Sequence, residues 1–188
     1  MVVIVVASLR MGTASSTLAT VGFTGRLGWA VGGILGGAVG AVAFGLLVWV
    51  VDPAVLESAI PAIYGLEPAG VTGWAIHIGH GVGLGLIFGL VATRRPVLSM
   101  LTEDVETDAL ARTGIVSRIV GLGFVFGLAV WAVLPLIVLP VWVEVAGMGG
   151  EGEFPVVAVE SLLGHLVFGV VLGIVFATTV DVSDRIDG

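Results

Sequence analysis

GWAIHIGHGVGLGLIFG (residues 73–89) and SLLGHLVFGVVLGIVFA (161–177) are two versions of one pattern. The first places Gly73, His77, Gly81, Gly85 and Gly89 four residues apart. The second places Ser161, His165, Gly169, Gly173 and Ala177 at the same spacing. Four-residue spacing in a helix lays a row along one face, so each histidine points where its small residues point. Both rows sit in long apolar stretches, where an imidazole is costly unless it finds a partner.

Outward from these rows, uncharged runs cover 27–51, 68–93 and 119–143, and a fourth covers 154–180 with Glu160 alone interrupting it. About 20 apolar residues cross a bilayer as a helix, so each run suffices. A hydrophobic share of 57%, charged residues at 11% and a mean hydropathy of +1.18 exclude a soluble globular domain. The expected fold is an all-α, four-helix integral membrane bundle occupying 26–180. An N-terminal cytoplasmic or interfacial segment (1–25) precedes it and a short cytoplasmic tail (181–188) follows. Met1 to Leu9 is apolar but too short to span and has no basic residue before it. Met11 is an alternative start.

The chain contains no cysteine, which removes disulfides and thiolate chemistry, and no lysine. Its seven basic residues are all arginine, against fourteen acids, for a net charge of -7. This balance resembles the proteins of salt-loving archaea, and it argues against nucleic acid as a partner. Arg10 and Arg26 precede the first segment. Arg94, Arg95, Arg112 and Arg118 accompany the connection between the second and third, and Arg185 follows the fourth. None falls in the other two connections, so the expected location is the cell membrane with both termini cytoplasmic. Asp52, Glu57, Glu67, Glu144, Glu151, Glu153 and Glu160 then gather on the outer side without a positive charge. Their simplest role is surface hydration, and the alternative is attraction of cations. In the inner connection, Thr102 is expected to cap a short amphipathic helix whose first turn is acidic.

The duplication extends to the odd segments. Phe44-Gly45-Leu46-x-Val48-Trp49-x-Val51-x-Pro53 matches Phe126-Gly127-Leu128-x-Val130-Trp131-x-Val133-x-Pro135. Two tandem hairpins are expected, 26–93 and 117–180. Each contains an even number of helices, so their pseudo-two-fold axis should run along the membrane normal. In this register Trp49 matches Trp131 and His77 matches His165. Gly28, Gly32, Gly36 and Gly40, with Gly33 and Gly37 beside them, form a glycine zipper that allows close helix packing. Gly81, Gly85, Gly89, Gly169 and Gly173 are expected to do the same. Pro53 should end the first helix, and Pro135 and Pro140 should loosen the outer end of the third. Trp49, Trp74 and Trp142 fall near the outer interface and Trp29 near the inner one.

His77, His80, His165 and Glu160 form the candidate intramembrane site. Three readings remain open: histidines bonded across helices in a structural bundle; a bis-histidine haem b or metal site for electron transfer; and a proton-linked path for an ion or small solute. If the second and fourth helices are neighbours, His77 and His165 are expected to reach each other or one shared partner. Glycine rows bring helices close together, which leaves little space for a porphyrin. No nucleophile elbow, zinc-binding His-Glu-x-x-His or phosphate-binding loop is present, so no enzymatic activity is expected. Unfilled glycine faces point to a homo-oligomer or a membrane-complex partner, with the lipid bilayer as the surroundings.

Gly73-Trp74-Ala75-Ile76-His77 with its spaced glycines, and Gly164-His165-Leu166-Val167-Phe168-Gly169-Val170-Val171-Leu172-Gly173, resemble a group of small multi-pass membrane proteins of haloarchaea. The similarity is concentrated in the second and fourth segments. That group is functionally uncharacterised and sometimes carries a histidine kinase label. A histidine kinase needs a soluble helix pair and an ATP-binding domain, and this chain has the length and polarity for neither.

Overall fold

The computed structural model describes residues 27–102, 114–145 and 159–180. The described residues are helical, and four helices are long and apolar enough to cross a membrane: α1 (Gly28–Val51), α2 (Gly70–Ala92), α3 (Gly114–Val145) and α4 (Val159–Thr179). Most of the arginine-bearing segments, the N-terminal region and the tail lie outside the described residues. So do Glu151 and Glu153.

Helix ends follow local chemistry. α1 stops before Pro53, and Asp52 turns extended and accepts the Ala54 amide on Oδ1 at 3.0 Å. In α3 the ladder widens into a five-residue π turn at Leu134–Val138, where Pro135 supplies no amide proton. The short helix on the arginine side spans Arg95–Thr102, and the acidic stretch that Thr102 is expected to cap lies outside the described residues. Residues 95–101 already carry the apolar spacing: Leu98 and Leu101 are buried in the core, and the guanidinium of Arg118, one turn into α3, donates to the Leu101 carbonyl at 2.8 Å.

Packing order is α2–α1–α4–α3, with extended seams only between neighbours in that series. Two glycine rows on α1 explain its central place. Gly33 and Gly37 lie against the backbone of Gly85 and Gly81 on α2, and a methyl on Gly37 would fall on the Gly81 carbonyl oxygen. The adjacent row meets α4: Gly32 receives Phe176 and Val180, Gly36 receives Leu172, and Gly40 receives Phe168. Small residues permit this approach, and close contact is what holds helices together where lipid is as apolar as the side chains.

The α3–α4 seam repeats the α1–α2 geometry. A methyl on Gly37 would meet the Gly81 oxygen and Gly85 Cα, and one on Gly123 would meet the Gly169 oxygen and Gly173 Cα. The contact register thus sets Gly37 beside Gly123, whereas the sequence register sets Ala41 there. In the contact register Gly45 pairs with Trp131, one helical turn from the Trp49 of the sequence register, and a four-residue step leaves residues on nearly the same face. The environments differ accordingly: Trp49 is exposed, while Trp131 buries its indole nitrogen.

α2 and α3 approach over only a short stretch, at Phe88 and Phe126, whose ring centroids are 5.4 Å apart. Where α1 offers glycine, α3 turns Phe126 towards its neighbour, and backbone contact is blocked. Phe88 also meets Phe176 of α4 edge to face at 5.3 Å, and both rings are fully buried.

Candidate functional site

His77 and His165 lie about 9–11 Å inside the acidic ends of α2 and α4, counting 1.5 Å per residue from Gly70 and Val159. Both are part-buried, and both rings rest on Phe44 of α1, at centroid distances of 5.1 and 4.7 Å. The Phe44 ring fills the space over Gly164, where a methyl would overlap it. One residue on, Gly45 leaves room for the Trp74 indole, which stands edge-on to His77 at 6.3 Å. The shared partner of the two histidines is therefore an aromatic ring.

Each imidazole donates a hydrogen bond to a backbone carbonyl. His77 donates Nε2–H to Ala41 O on α1 at 3.0 Å, and His165 donates Nδ1–H to Ser161 O one turn back at 2.7 Å. A carbonyl can only accept, so these bonds fix the neutral tautomers. The remaining nitrogens, His77 Nδ1 and His165 Nε2, are both acceptors. The donor–acceptor pair expected between the two rings would lack a proton. α2 and α4 are also diagonal in the bundle, not neighbours along a seam.

His80 and Glu160 belong to different surroundings. His80 is exposed and hydrogen-bonds to the Tyr64 hydroxyl, with ring centroids 5.8 Å apart. Tyr64 lies in the α1–α2 connection, which folds back along α2: Leu56 O abuts Gly73, and Leu56 and Pro61 are buried. Glu160 is exposed in the first turn of α4, where a carboxylate favours the positive end of the helix dipole. The Glu57 side chain takes the same kind of place beside Gly70 at the start of α2. Among the described residues, no group of three His, Cys, Asp or Glu side chains could hold a metal ion.

A haem does not fit these residues. Phe44 packs on both imidazoles, and the helices carrying Ala41, Gly81, Gly127 and the His165 carbonyl meet backbone to backbone. Sequence reasoning missed Phe44, Trp74 and Tyr64 as histidine partners. The signals were present: Phe44-Gly45 opens the repeated motif, and Tyr64 is the only tyrosine in the chain.

Between the histidines and the arginine-side ends, each of the four helices passes through a wholly apolar stretch. No polar or charged side chain other than the Trp29 indole occurs in 28–44, 81–92, 119–130 or 166–177. The twelve residues from Gly81 to Ala92 alone amount to about 18 Å of helix. Phe88, Leu172 and Phe176, all at 0% exposure, fill the centre of this half.

Compared with protein-family models, with curated proteins and with solved structures, the chain matches none.

Proposed function

We propose that this protein is a non-enzymatic, multi-pass component of the cell membrane, acting structurally on its own or as a subunit of an assembly. The observation that carries this reading is the apolar half of the bundle. A proton or ion reaching the histidines from the acidic end meets about 18 Å of helix with no polar side chain, closed by Phe88, Leu172 and Phe176. The histidines support the same reading, because their protons are held by carbonyls of the bundle itself.

Two tandem hairpins related by a pseudo-two-fold along the membrane normal complete the proposal. Phe88 and Phe176 are matched residues that touch each other, as residues on such an axis must. The Gly37 and Gly123 contacts are alike in detail, which supports the same relation in the shifted register. Arginine placement supports cytoplasmic termini. With no native cysteine, single cysteines at Glu57 and Gly150 are expected to label from outside intact cells, and one at Asp108 is not. The reverse pattern would invert the orientation.

Self-association through α2 is part of this reading. Val71, Ala75, Gly79, Gly83 and Ile87 form an exposed row, and Gly79 and Gly83 have nothing within 4 Å. Small residues in such a row suit a second helix.

The functional test is an absorption spectrum of the purified protein with metal analysis on the same sample. No Soret band and no stoichiometric metal are expected. A Soret band, or one metal per chain lost in His77→Phe, would replace the structural role with cofactor chemistry.

A further inference from the structure

The tip of the α1–α2 connection joins two helices that otherwise barely meet. Tyr64 bonds to His80 on α2, and Trp142 Nε1 of α3 donates to the Ile63 carbonyl at 2.9 Å. Two consecutive residues therefore hold the acidic ends of α2 and α3 together, while the Phe88–Phe126 contact holds them on the other side. The base of this connection is fixed, with Leu56 and Pro61 buried and Leu56 O against Gly73. The tip is different. It is a tight turn closed by Gly65 N to Ala62 O at 2.9 Å and Leu66 N to Pro61 O at 3.1 Å. Gly65 takes φ +65 with nothing within 4 Å of a notional Cβ, and Tyr64 and Leu66 are exposed. Among the described residues, two side-chain hydrogen bonds latch it.

We propose that Ile63–Leu66 is a strap that holds the α2–α3 side of the bundle closed, and that its release parts these two helices while the α1–α4 seam stays shut. The difference between the seams follows from their residues. α1 meets α4 through Gly32, Gly36 and Gly40, whereas α3 presents the Phe126 ring to α2. Loss of the latches removes what ties the acidic ends of α2 and α3 and nothing that ties α1 to α4.

The chain lacks cysteine, so a single introduced thiol reports cleanly. Val130→Cys places one on α3, one turn from Phe126 and 6% exposed; Leu172→Cys places one at the α1–α4 seam, at 0% exposure. Each is combined with Tyr64→Phe and Trp142→Phe, which remove the latching hydrogen-bond groups, and labelled with a small membrane-permeant maleimide. Two hydrogen bonds of ordinary strength predict a rise of about tenfold in the rate at residue 130 and no change at residue 172. An unchanged rate at 130 would overturn the strap, and an equal rise at both sites would mean general loosening. Hydrogen–deuterium exchange of the same latch variant without the reporters needs no thiol. Faster exchange confined to 127–133, with 166–177 unchanged, is expected, and equal change in both stretches would overturn the proposal.

Discussion

Gly37→Val is expected to prevent stable assembly of the bundle, at a cost of about 3 kcal/mol or more. Any Cβ at residue 37 would meet the Gly81 carbonyl oxygen and Gly85 Cα, which are backbone and cannot turn aside. The helices must separate, and separation forfeits the dispersion contacts along the whole α1–α2 seam. Gly121→Ala is the control, because nothing lies within 4 Å of that position. It should leave stability unchanged or raise it by about 0.5–1 kcal/mol through helix propensity. Reversible unfolding in detergent micelles measures both. Equal loss at residues 37 and 121 would show that glycine content, not backbone contact, governs the fold.

Phe44→Ala carries the second large effect. The Phe44 ring touches both imidazoles and covers Gly164, so its removal leaves a void beside three helices. A loss of about 3 kcal/mol is expected, at the low end of the Phe→Ala range, because the ring is half-buried and lipid supplies no hydrophobic drive between helices. Phe44→Leu should recover more than half of it. The histidines provide a further readout: their ring proton resonances, set apart by the Phe44 ring current in the native protein, should converge in Phe44→Ala. Retained stability with unchanged resonances would mean that Phe44 does not organise the pair.

The four spanning helices were legible in the uncharged runs, to within a few residues at most ends, because bilayer length and hydrocarbon composition act on the chain locally. Neighbour choice was not legible in the same way. Gly32, Gly36 and Gly40 face α4 while Gly33 and Gly37 face α2, and two adjacent small rows look alike until both partners are in place. The bonding of His77 and His165 was hidden, since His165 turns back to its own Ser161 carbonyl as helical side chains lean. The return of Tyr64 to His80 depends on the fold-back of the 52–66 connection, which no periodic pattern encodes.

Proton flux across sealed proteoliposomes, driven by a pH gradient and a potential together, tests the central claim most directly. An apolar layer free of polar side chains but for the Trp29 indole over 28–44, 81–92, 119–130 and 166–177 predicts leakage equal to that of protein-free vesicles, and no change in His77→Ala or His165→Ala. Flux well above the protein-free level that either histidine variant abolishes would contradict the structural reading and establish a proton path through this bundle.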